Sequence, residues 1–218
     1  MELPIFLAKI DEDVNSELEV NFIGLVDTPA IERNFLAFNE MKKKAAFAIN
    51  SDKRILSGPA MIADMPLYRN DKKLGEYYVI FDKAAIQTIV EKFSAKGYLK
   101  NFNLFHDDQQ QVSDVTIFNS FISDKDLGVP PLVGFEDVAD GSWFISAKVN
   151  NEDVWAKVKD GTIKGFSIEG FFNYVPSGVM HTSITSSLSK FIDKLFESMS
   201  EDNRVIFSKI LNDTKFID

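Results

Sequence analysis

The sequence predicts a mainly β protein of the α+β class. Short apolar runs bounded by turn-forming residues recur along residues 3–175. Only two segments of that span combine helical apolar spacing with capping residues. The strands do not alternate regularly with helices, which argues against a doubly wound parallel sheet. A mostly antiparallel barrel or sandwich, with helices packed outside, fits this pattern.

The elements follow in order. LPIFLAKI (3–10) and LEVNFIGLV (18–26) read as strands separated by a polar loop. NFLAFNE and KAAFAI read as short strands, and RILSGPAMIAD (54–64) as another, in which Pro59 calls for an edge or a bulge. YYVIF (77–81) is a compact strand. Residues 82–97 form a helix: Asp82 can cap it, Ile86, Ile89, Val90 and Phe93 share a face, and Gly97 can end it. FNLFH (102–106), VTIFNSFI (115–122) and WFISAKV (143–149) have strand character. NEDVWAKVKDG (151–161) is a short helix closed by Gly161. TIKGFSIEGFFNYV (162–175) reads as the last long strand. Three parts are expected: a β domain over 1–176, a Ser/Thr-rich linker over 177–189, and an amphipathic helical tail over 190–218.

Composition narrows the function. With 218 residues the chain can bury a sizeable core, and its 20 phenylalanines imply aromatic packing. The lack of cysteine excludes disulfides, a thiol nucleophile and thiolate zinc sites, and fits a reducing compartment. A net charge of -9 argues against nucleic acid as a partner, and Lys42–Lys44 reads as a solvated strand entry. The N-terminus lacks a basic signal-peptide region, and no stretch approaches the ~20 apolar residues of a membrane span, so a cytoplasmic location is expected. His106 and His181 are the only histidines, and with no HExxH they give no metal-ligand spacing. No metal or cofactor is expected.

GFSIEG (165–170) sets one serine between two glycines in a strand. Glycine weakens a strand and is usually kept where something approaches the backbone closely. Alternation puts Phe166 and Ile168 on a core face, and Gly165, Ser167 and Glu169 on a polar face against which an extended peptide could lie. By periodicity alone Ser167 is as well a half-exposed surface serine. GxSxxG also differs from the GxSxG elbow. A serine hydroxyl needs a base to become a nucleophile. His106 ends the run FNLF beside Asp107 and Asp108, although regular alternation would set it on the face of Phe102 and Leu104. A structural histidine explains it equally well, and a solvated linker residue explains His181.

The motifs taken together go further. VDTPAIERNFLAF (26–38), LSGPAMIADMPLYR (56–69), YYVIFDKAAI (77–86), His106 and VWAKVKDGTIKGFSIEGFF (154–172) occur in this order. The chain resembles the phage prohead (capsid maturation) serine proteases of the XkdF-like group, distant relatives of the herpesvirus assemblins, over about residues 20–175. The resemblance implies a closed, mostly antiparallel β-barrel flanked by helices. It implies a serine endopeptidase that cuts scaffold, capsid precursor and itself inside the procapsid, in the host cytoplasm. Its partners would be the scaffold, the major capsid protein and the portal, and it would work without nucleic acid or membrane and as a homodimer by analogy.

The nucleophile falls on Ser167 and the general base on His106. The third member stays open between Asp114, His181 and Glu169, with Asp114 named first and a Ser/His dyad as a further alternative. Gly134 and Gly141 are candidates for the oxyanion site. The tail would bind scaffold or shell, or be released by cleavage in the linker. A non-catalytic assembly module that binds scaffold on the same fold is the competing reading, and an esterase-like hydrolase a third. The separation of Ser167 and His106 discriminates between catalysis and assembly.

Overall fold

The computed structural model describes residues 3–29, 48–50 and 53–181, with the backbone alone at 48–50, 71 and 178–181. Two compact units divide the chain: Pro4–Val179, and Met1–Leu3 with Met180–Asp218. The expected tail (190–218), most of the expected linker, the basic run at 42–44 and the strand at 34–40 lie outside the described residues.

Twelve strands and two helices are described. They are β1 (Leu3–Lys9), β2 (Val20–Val26), β3 (Ala48–Asn50), β4 (Ile55–Met61), β5 (Leu67–Asp71), β6 (Gly75–Ile80), helix α1 (Lys83–Ala95), β7 (Phe102–Leu104), β8 (Asp107–Val112), β9 (Val115–Ile122), β10 (Trp143–Val149), helix α2 (Glu152–Lys159), β11 (Gly165–Gly170) and β12 (Asn173–His181). They form three four-stranded sheets, ordered β12-β1-β6-β5, β3-β4-β10-β9 and β11-β2-β7-β8. The pairs β1–β6 and β2–β7 are parallel. The ladders of β4, β9 and β10, and of β11 on β2, are antiparallel.

The mainly β class with helices outside is therefore correct, and the closed barrel is not. No described sheet closes on itself. β11 and β4 pack against each other without a hydrogen-bonded ladder, so the sheets meet through side chains and keep their edges. The long strand expected over 162–175 is two strands, β11 and β12. The chain turns where Phe171 donates its N–H to the Glu19 carbonyl (2.9 Å). The first residues of the expected linker, through His181, belong to β12.

Local chemistry explains the elements that position the site. Pro59 sits in β4 beyond the residues that pair with β3, at a register break opposite Trp143 and Phe144, so its missing N–H deprives no ladder. Asp82 caps α1 by accepting from the Ala85 N–H at 2.8 Å, and Gly97 leaves the helix at φ +71°. Ile86, Ile89 and Phe93 on α1 are fully buried, and the Phe93 ring meets Trp143 edge-on at 5.2 Å. Lys92, also buried, donates to the carbonyls of Asp11 (3.0 Å) and Leu18 (2.8 Å). That bond ties the β1–β2 loop to α1 and fixes where β2 begins. Asn151 caps α2 through the Val154 N–H (3.0 Å).

Burial pushes the Asp82 carboxyl up, but the Ala85 N–H and Lys9 outweigh it and hold the carboxyl below its ordinary value. Its contribution is present above the ordinary carboxylate range and is lost as pH falls through the lowered value. Asp82→Ala is expected to cost about 1 kcal/mol, or a few degrees of Tm, near pH 7. Thermal melts should show this difference shrinking in acid; a difference independent of pH would contradict the capping account.

Candidate functional site

Ser167 on β11 is paired with Gly24 on β2, and Gly24 is paired with Asn103 on β7. The three residues form one row across three strands, so their side chains rise from the same face. The central one has no side chain. Into that space comes His106. A Cβ on Gly24 would lie 2.9 Å from His106 Cε1, 3.1 Å from its Nδ1 and 3.3 Å from Asn103 Oδ1.

His106 reaches this place through a strained turn. β7 ends at Leu104 and β8 starts at Asp107, paired back on Leu104. The two residues between, Phe105 and His106, have φ of +56° and +60°. Positive φ at both central residues is the mark of a type I′ hairpin turn, normally filled by Asn and Gly. A residue with a Cβ pays about 1–2 kcal/mol there. The turn removes the parity objection from the sequence: His106 is no longer on the strand and swings back over Gly24.

The resulting contacts form a chain. His106 Nε2 is 2.9 Å from Ser167 Oγ. His106 Nδ1 is 3.2 Å from Glu169 Oε2. Asn103 Nδ2 donates to the same Glu169 oxygen at 2.6 Å. Ser167 is only 6% exposed, whereas the side chains of His106 and Glu169 are 39% and 29% exposed. A carboxylate against one ring nitrogen and a hydroxyl against the other is an arrangement that can move a proton off the hydroxyl.

Of the expected third members whose side chains are described, Glu169 is the one beside His106. Two residues after Ser167 on β11, it projects from the same face, as alternation requires. Asp114 lies elsewhere. It follows the end of β8, where Val112 is paired with Phe102 at the start of β7, whereas His106 lies in the turn at the other end of β7. There Asp114 turns the β8–β9 connection, its carboxylate accepting from Ser113 and its carbonyl from the Asn150 N–H. His181 is the last residue of β12, and its side chain is outside the described residues.

The two oxyanion candidates also lie elsewhere. The Gly134 N–H is given to Glu136 and the Gly141 N–H to the Ser123 carbonyl, and neither residue lines the cleft over Ser167.

The glycines flanking Ser167 serve the chain itself. A Cβ on Gly165 would fall 2.4 Å from Pro29 Cγ, and one on Gly170 2.0 Å from the Glu19 carbonyl. The glycine the site needs is Gly24, which the sequence reading passed over.

The site opens into a cleft of about 610 Å³. One wall is the end strand β5 (Tyr68, Arg69, Asn70), the other the end strand β11 (Ser167, Ile168, Glu169). Among the described residues Arg69 is the only Lys or Arg lining it, and it also lines a small, mostly apolar pocket beside Ser167. Its Nη1 donates to the Tyr68 carbonyl (3.0 Å).

Residues 50–175 match the model of a family described as "Putative phage serine protease XkdF". The match covers more than half of the chain and includes Ser167, His106, Glu169 and Asn103; Gly24 precedes it. No curated protein and no solved structure matches the chain.

Gly24→Ala is expected to leave the fold intact, because the half-exposed imidazole can swing toward solvent. It should slow phosphonylation of Ser167 by a serine-directed reagent about 100-fold, as a displacement near 1 Å does. An alanine variant that reacts at the wild-type rate would show that the ring is not held by the bare backbone.

Proposed function

The chain belongs to the family of phage serine proteases, and we propose that it is an endopeptidase in which Ser167 is the nucleophile, His106 the general base and Glu169 the residue that orients the base. The observation that carries this reading is the continuous contact from Glu169 through His106 to Ser167. A purely structural serine has no need of it, and an assembly module that never cleaves gives no reason for it.

The steps follow from the contacts. Glu169 accepts from His106 Nδ1–H, which leaves Nε2 unprotonated and facing Ser167. Nε2 takes the Oγ proton as Oγ attacks the scissile carbonyl. The imidazolium then gives that proton to the leaving amine. Water, deprotonated by the same nitrogen, releases the acyl group. Negative charge develops on the carbonyl oxygen, and Arg69 is the cation in the cleft available to meet it.

The cleft also suits a peptide. Among the described strands β5 and β11 both end their sheets, and an extended chain lying between them would run alongside both as an added strand. Scaffold protein, capsid precursor and the chain's own segment beyond β12 are the proposed substrates, cleaved inside the immature head.

The test is the intact mass of the protein and of a candidate scaffold over time. Ser167→Ala should abolish cleavage. Glu169→Gln should lower the rate about 10³–10⁴-fold, and Asp114→Asn should change it less than about two-fold. Cleavage that persists in Ser167→Ala, or an Asp114→Asn loss as large as that of Glu169→Gln, would contradict the assignment.

A further inference from the structure

We propose that Asn103 is a fourth, positioning member of this site: its amide holds the Glu169 carboxylate where His106 can use it. The inference rests on the serine protease reading and goes beyond it.

Asn103 is 1% exposed, among the most buried polar side chains of the described residues. Its Nδ2 donates at 2.6 Å to Glu169 Oε2, the same oxygen that meets His106 Nδ1. One carboxylate oxygen is thereby fixed from two directions, by the amide from below the row and by the imidazole from above. Its Oδ1 has no hydrogen-bond partner. The orientation follows from the carboxylate, since a flipped amide would set oxygen against oxygen.

A buried amide with half its capacity unmet is a burden to the fold, and an apolar residue would fill the space without it. What the asparagine supplies is an N–H aimed at a carboxylate that is itself more than a quarter exposed. Without that donor, Glu169 is free to turn into the cleft and take water in place of His106. The placement is fixed by strand register: Asn103 pairs with Gly24, and Gly24 with Ser167. The amide therefore lies in the same cross-strand row as the nucleophile.

The test uses the full chain and a fluorophosphonate, which needs no knowledge of the peptide substrate. Ser167 Oγ displaces fluoride from phosphorus, and its proton passes to His106. Wild type and the variants Asn103→Leu and Asn103→Asp are labelled between about pH 6 and pH 9, and the modified residue is identified by mass. Asn103→Leu should label at least ~10-fold more slowly at every pH, without a loss of Tm. Asn103→Asp should behave differently, because two adjacent carboxyls do not both ionise readily. In acid its O–H can donate to Glu169 in place of the amide, and labelling should stay within about three-fold of wild type. Toward pH 9 both groups are charged and repel, and labelling should fall a further ~10-fold.

The shape of the aspartate profile decides the matter even if the leucine variant fails to fold. A fall by one constant factor at all pH values, or wild-type labelling throughout, would overturn the positioning role while leaving Ser167 as the nucleophile. A wild-type protein that is not labelled at Ser167 would overturn the protease reading and this inference with it.

Discussion

The imidazole of His106 lies on the bare backbone of Gly24, and its contacts with Ser167 and Glu169 depend on that approach. A Cβ at this position would stand 2.9 Å from the ring, so the ring could not occupy its place between Ser167 and Glu169. Gly24 is in turn held by β11 on one side and β7 on the other, in a register that is regular from Gly165 to Glu169. The same three-stranded row supplies the hydroxyl, the space and the amide. Glu169 stands two residues along β11, and the base arrives from a turn with two residues at positive φ. Strain kept at such a turn is tolerated because the surrounding ladders fix its ends.

The rest of the fold makes the row rigid and leaves one side of it open. Phe166 on the opposite face of β11 is fully buried in the core, so β11 cannot slip by one residue without exposing it. Lys92 and the cap of α1 fix the approach to β2. The sheets remain open where a barrel would have closed, and two of their end strands border the cleft. An unclosed edge is usually a liability in a β protein. Here the edges flank the reactive serine, which gives them a use.

Much of this was legible in the residues, and what was not has physical causes. Strand alternation alone put Ser167 and Glu169 on one face and Phe166 in the core. The limits of β9 and β10 follow from their apolar runs, and the cap of α1 from Asp82. The His106 turn was obscured because Phe105 and His106 are not residues that announce positive φ. Gly24 was hidden because a glycine inside VNFIGLV shows its purpose only when the register of β11 and β7 is known. Asp114 was an acidic option after His106, yet it lies past the far end of the β7–β8 pair. Asn103 gave no signal, since its role depends on a carboxylate 66 residues later. The two glycines that first drew attention, Gly165 and Gly170, accommodate Pro29 and the Glu19 carbonyl.

The central claim is that Glu169 sets the tautomer of His106 so that an unprotonated Nε2 faces Ser167. Nitrogen NMR of the imidazole rings measures this directly, and the chain has only two histidines to assign. The account predicts that neutral His106 carries its proton on Nδ1, and that this preference is weakened in Glu169→Gln. A His106 ring protonated on Nε2 in the wild-type protein would contradict it, because that nitrogen could then accept nothing from the serine.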